Sequence, residues 1–159
     1  MKYKLIIDPN TNIIVNKTNN KKYKMFSGDY KKSNRKKHYY TPCGICQIME
    51  KRKDNGLMYY PFFIRLSFYR LPCVYNEKVS RTPYAIHGYG RQPHRKKVIE
   101  QGKKYLGYIS RGCIELNNED LEDLYNNIKV GDYVYVLPYK DIRIQKYMKK
   151  YSRYKIIKH

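Results

Sequence analysis

The apolar residues of this chain come in short groups separated by turn formers, and that pattern restricts the fold to a mainly β domain. Tyr3 to Asp8 alternates and stops at Asp8-Pro9-Asn10, a turn signal, so Asn12 to Asn16 is placed to return as the second strand of a hairpin. Met58 to Tyr69 is rich in aromatic and branched side chains and suits one or two strands, with Pro72 and Pro83 punctuating the chain beyond it. One helix stands out. Asn117 or Asn118 is a suitable cap, Glu119 and Asp120 favour its positive end, and Leu121, Leu124, Tyr125 and Ile128 recur at helical spacing as a core-facing stripe. Gly131-Asp132 then turns the chain into a strand over Tyr133 to Leu137. At 159 residues a single domain with a substantial core is expected.

Between these elements lies the segment that carries chemistry, Ser110-Arg111-Gly112-Cys113-Ile114-Glu115-Leu116, with Ile86-His87-Gly88 upstream. A cysteine next to a glycine in a turn, together with a histidine able to take its proton, is a minimal kit for acyl transfer: the thiolate attacks a carbonyl and backbone N–H groups near the turn hold the oxyanion. A free thiol titrates near 8.5, so Cys113 needs such a partner to ionise at neutral pH. A side chain at Gly112 would obstruct the approaching carbonyl. Taken singly, a cysteine such as Cys113 is more often a packed thiol than a nucleophile, and His87 alone reads as a satisfied structural histidine.

The surrounding pattern resembles the L,D-transpeptidase (YkuD-type) catalytic domain. That family carries an I-H-G segment and then S-x-G-C-[IV]-R-[ML], matched here by Ile86, His87 and Gly88 and by Ser110, Gly112, Cys113, Ile114 and Leu116, with Leu106-Gly107 similar to the approach to the cysteine. Leu5-Ile6-Ile7-Asp8 with Asn12-Ile13-Ile14-Val15 resembles the opening hairpin, and Thr41-Pro42-Cys43-Gly44-Ile45-Cys46-Gln47-Ile48 resembles the T-P-x-G-x-[FY]-x-I segment, which the family makes a strand. Asn118 to Asn127 and Val130 to Val136 resemble the closing helix and strand, so the likeness runs over roughly residues 3 to 137.

The resemblance implies a mixed β-sandwich with the cysteine at the mouth of a groove. It implies a catalytic domain over residues 1–137, followed by a basic C-terminal extension over 138–159. It makes Cys113 the nucleophile, His87 its proton acceptor and Gly88 the carbonyl that orients His87. The oxyanion donors would be the backbone N–H groups of Arg111, Gly112 and Cys113, with Ser110 bracing the turn. The implied substrate is a peptidoglycan tetrapeptide stem, which loses its terminal D-Ala to a thioester. That thioester then passes to an amine acceptor, or to water in an L,D-carboxypeptidase. The resemblance implies neither a cofactor nor a metal.

Two features depart from the family. Glu115 stands where an arginine is usual, so it marks a different substrate contact or pairs with Arg111 or a loop lysine. The loop between His87 and Cys113 is long and carries Arg91, His94, Arg95, Lys96, Lys97, Lys103 and Lys104, either as a basic lid or as a solvated insertion. Tyr84, Tyr89 and Tyr105 lie near the motif in sequence, as groove lining or as packing.

Net charge is +21, from 34 Lys+Arg against 13 Asp+Glu, which suits an anionic partner such as a wall polymer, nucleic acid or a membrane surface. An AT-rich genome, enriching Lys, Asn, Ile and Tyr and leaving Trp absent, accounts for the same charge equally well. A second function class therefore stays open: a non-enzymatic basic module on this scaffold, binding nucleic acid or an anionic polymer. The basic run Lys31 to Lys37 reads as an exposed loop. Beyond Pro138, basic residues interleave with Ile142, Tyr147, Tyr151 and Tyr154, as in a helix packed on the domain or a polyanion-binding arm. Cys43 and Cys46 form a C-x-x-C, but a second pair is missing and residues three apart on a strand face opposite ways, which favours buried thiols over a metal site. P-loop, dinucleotide and H-E-x-x-H motifs are absent from the sequence. No apolar run is long enough to span a bilayer, and Met1 to Leu5 enters the first expected strand with no leader-like apolar core. The family's setting in the cell envelope and an intracellular or viral setting both stay open.

Overall fold

The computed structural model describes residues 2–27, 41–70, 84–91 and 112–151, with the side chains of 68–70 and 147–151 left aside. The Lys31 to Lys37 run, Pro72, Cys73, Pro83, most of the long basic loop, Tyr105, Ser110, Arg111 and Tyr154 lie outside the described residues.

Among the described residues eight strands form one mixed sheet: β1 (Leu5–Asp8), β2 (Ile13–Asn16), β3 (Lys22–Lys24), β4 (Gly44–Lys53), β5 (Phe62–Arg70), β6 (Ala85–His87), β7 (Ile114–Glu115) and β8 (Tyr133–Val136), in the order β3-β2-β1-β8-β4-β5-β6-β7. β1 and β2 are the expected hairpin, antiparallel with Ile7 opposite Ile14. The T-P-x-G segment is a strand only from Gly44 onward, and Met58 to Tyr69 supplies one strand, β5, that starts at Phe62. β1–β8 and β6–β7 pair in parallel, the other neighbours antiparallel. The sheet curls until its two edges meet: Phe26, two residues past β3, bridges Glu115 of β7 through hydrogen bonds of 2.9 and 2.7 Å. Such closure satisfies backbone groups that an open edge would leave exposed.

Strand alternation sorts the side chains. Phe62, Ile64 and Leu66 of β5, Ile86 of β6, and Ile114 and Leu116 at β7 join Leu5, Ile7, Ile14, Ile48, Val134 and Val136 in one core. Each fully buried aliphatic side chain there contributes roughly 1.5–3 kcal/mol relative to exposure. Phe63, Ala85, His87 and Glu115 occupy the alternate positions and are also buried, so this end of the sheet is covered on both faces.

Helix α1 (Asn118–Asn126) is capped by Asn117, whose side chain accepts from the Asp120 N–H at 2.8 Å. Leu121, Leu124 and Ile128 enter the core and Tyr125 stacks on Phe62 at 4.4 Å. α1 thereby anchors the chain just past Cys113. A second helix, α2 (Ile142–Tyr151), follows β8, and Tyr139 and Ile144 are part of the core, so the start of the basic segment packs on the domain. Among the described residues no helix is long and apolar enough to cross a membrane.

Candidate active site

The register of β5, β6 and β7 assembles the site. Across the sheet Arg52 pairs with Phe63, Phe63 with His87, His87 with Glu115, and Glu115 with Phe26, forming one transverse row on the face opposite the core. Cys113 lies two residues before Glu115, just ahead of β7, and is half-buried while His87 and Glu115 are almost wholly buried. The sequence names His87 and Cys113 separately; the parallel pairing of β6 with β7, extended by the Leu116 N–H donating to the His87 carbonyl at 3.1 Å, brings their strands side by side.

His87 is held on two sides. Its Nδ1 donates to the Gly88 carbonyl at 2.6 Å, and Tyr59 meets its ring edge-on, with centroids 4.9 Å apart. With Nδ1 as donor, the neutral ring keeps its basic lone pair on Nε2. Gly88 can present its carbonyl this way because the chain there runs against another backbone segment: a Cβ on Gly88 would lie 2.1 Å from the Tyr60 carbonyl oxygen.

The cysteine turn is braced from below. Gly112 has φ +120°, a conformation that favours glycine, which adds a backbone reason to the open approach expected at this position. The buried Thr41 Oγ1 donates to the Gly112 carbonyl at 2.8 Å, and the Tyr139 hydroxyl donates to the Thr41 carbonyl at 2.9 Å. Neither Thr41 nor Tyr139 stands out as functional in the sequence; the T-P-x-G segment marks the place of Thr41, but only the fold brings it under the turn.

Glu115 lies beneath the surface with its Oε1 3.9 Å from His87 Nε2. Its described charge neighbour is thus the histidine, while Arg111 lies outside the described residues. Tyr84 packs against the core and Tyr89 is half-buried beside the His87-Gly88 turn.

Cys43 and Cys46 are buried in the core and not joined in a disulfide, and burial pushes the Cys46 thiol up. Cys43 precedes β4 and adjoins Gly44 at φ +115°, so strand alternation does not separate the two. Among the described residues no group of three or more His, Cys, Asp or Glu side chains is arranged to hold a metal ion.

The sequence profile of the L,D-transpeptidase catalytic domain (YkuD) matches residues 2–136. No curated protein sequence matches the chain significantly. Among solved structures, a cysteine-to-serine mutant of the Enterococcus faecium L,D-transpeptidase superposes with TM-score 0.57 at 15% identity, covering 86% of this chain and 50% of that one. An L,D-transpeptidase from Mycobacterium tuberculosis H37Rv gives 0.53 at 16% identity, covering 84% and 57%. The helical cell shape determining protein Pgp2 from Campylobacter jejuni gives 0.53 at 19% identity, covering 86% and 48%. The chain thus spans about half the length of these structures, and at such identities they establish the likeness of fold.

Proposed function

The chain belongs to the L,D-transpeptidase catalytic-domain family, and we propose that it is a cysteine acyltransferase acting on peptidoglycan stem peptides, with Cys113 as nucleophile and His87 as its proton carrier. The observation that carries this reading is the His87 Nδ1 bond to the Gly88 carbonyl, which leaves Nε2 as the ring's basic nitrogen beside the strand that follows Cys113. In the proposed reaction the Cys113 proton passes to Nε2 and Sγ adds to the carbonyl of the third residue of a tetrapeptide stem. Charge then develops on the carbonyl oxygen, and the backbone N–H groups of Gly112 and Cys113, with Arg111, are the proposed donors to it. Nε2 returns the proton to the departing amine, D-Ala leaves, and a thioester remains. A side-chain amine of a second stem gives a cross-link; water gives hydrolysis.

Support comes from the turn itself. Thr41 and Tyr139 hold Gly112 and α1 anchors the chain after Cys113, so the nucleophile sits on a braced segment. Mass spectrometry of the full chain incubated with purified tetrapeptide tests the reading. Loss of D-Ala with a thioester or cross-linked product, absent from Cys113→Ala, is expected; D-Ala release unchanged in Cys113→Ala overturns it. The net charge of +21 favours a second reading, polyanion binding on the same scaffold, which predicts affinity that falls steeply with salt and ignores Cys113.

A further inference from the structure

We propose that Glu115 is a positioning residue for the reaction assigned to Cys113: its buried carboxylate holds the positive charge that His87 gains on taking the thiol proton. The inference rests on that assignment. It is carried by three observations. Glu115 and His87 are register partners across the parallel β6–β7 pair, so the backbone fixes their relation. Their side chains are 1% and 3% exposed, which leaves little water to screen the interaction. The Oε1–Nε2 separation is 3.9 Å, close enough for strong attraction and too long for a hydrogen bond. Glu115 therefore acts on Nε2 through space, without a hydrogen bond between them.

The same carboxylate repels a thiolate on Cys113, and distance decides which effect wins. The carboxylate stands 3.9 Å from the imidazole nitrogen, and Coulomb energy falls with separation, so the proposal requires Cys113 Sγ to lie farther from the carboxylate than Nε2 does. In the proposed role the proton moves from Sγ to Nε2, and the Glu115 carboxylate exchanges none. Other groups face this row. Arg52 stacks on Phe63 at 4.0 Å but is committed to Glu50 and Asp54 at 2.6 and 3.2 Å. Arg65 is bound to Glu50 at 3.1 Å. Tyr59 contacts the imidazole edge-on, and Lys24 lies over the Phe26 ring at 5.8 Å on the far side of Glu115.

The test reads the thiolate without any substrate: the rate of iodoacetamide alkylation at Cys113, followed by peptide mass spectrometry across pH, in the full chain and in Glu115→Gln and Glu115→Asp. Wild type is expected to alkylate with a midpoint below the ordinary thiol value of about 8.5. In Glu115→Gln the midpoint should rise by about one pH unit, close to ten-fold slower alkylation below both midpoints, with partial rescue in Glu115→Asp. An unchanged or lowered midpoint in Glu115→Gln overturns the proposal, as does a wild-type midpoint at the ordinary value. Should Glu115→Gln not fold, nitrogen-15 NMR of His87 in Cys113→Ala decides. A midpoint above the ordinary histidine value of about 6.5 supports the carboxylate's role, and one below it, where desolvation dominates, overturns it. Absence of D-Ala release by wild type would refute the peptidoglycan assignment while leaving these profiles readable. Release with indistinguishable profiles would refute the role of Glu115 alone.

Discussion

Thr41 Oγ1 donates to the carbonyl of Gly112 at 2.8 Å in a buried contact, tying the segment that leads into β4 to the turn that presents Cys113. The two residues are far apart in sequence, and their bond braces the turn next to the proposed nucleophile. Thr41→Val keeps the shape and deprives a buried carbonyl of this donor, at a cost of about 1–3 kcal/mol. Turnover should fall further than the lost stability explains, because the turn itself is released. Tyr139→Phe takes a donor from the buried Thr41 carbonyl, at a similar cost of about 1–3 kcal/mol, but keeps the Thr41 bond to Gly112, so turnover should fall less. Urea midpoints compared with D-Ala release in the two variants check both statements.

Gly88→Ala should be among the worst single-methyl changes in the protein. The new Cβ would meet the Tyr60 carbonyl oxygen at 2.1 Å, so one of the two backbones must shift, at a cost of about 1–3 kcal/mol or more. That shift moves the carbonyl holding His87 Nδ1. Calorimetry should show a lower Tm, and turnover measured well below that Tm should still be depressed. A variant with native Tm and native turnover would contradict this account of the site.

Cys113 should outreact the core cysteines. It is half-buried, whereas Cys43 is 5% and Cys46 0% exposed. Brief alkylation of the native chain should label Cys113 while Cys43 and Cys46 stay unmodified until denaturant is added. Cys113→Ala should unfold at nearly the wild-type urea concentration. His87→Ala should lower turnover by about 100-fold or more, the scale of a lost proton carrier.

Asp123 links stability to acid. The Tyr23 hydroxyl at 2.6 Å, and then Lys21 at 2.9 Å, hold its carboxyl below the usual carboxylate range. Because the folded value is depressed, this contribution is fully present above the unfolded value of about 3.9 and disappears as pH falls through the folded one. Asp123→Asn should therefore flatten part of the acid limb of stability. Urea midpoints measured from neutral pH down to about pH 3 in both proteins are the check.

Local order in the sequence was a good guide wherever short-range physics governs. Alternation marks β1, β2 and β8, Asn117 caps α1 as its side chain suggests, and the Leu121, Leu124, Ile128 stripe is buried. The Ile-His-Gly and Ser-x-Gly-Cys segments single out His87 and Cys113 because the chemistry they suit needs particular atoms in a particular local setting. These features depend on neighbours in the chain, and a sequence displays its neighbours. The tertiary structure decided the rest. The parallel pairs β1–β8 and β6–β7, the closure of the sheet through Phe26, and the bond from Thr41 to Gly112 all join residues whose proximity no local pattern encodes. Glu115 shows the difference most plainly. In sequence it is a charge out of place beside Arg111. Set in register opposite His87 and stripped of water, it becomes part of the electrostatics of the site, because distance and dielectric are properties of the folded state alone.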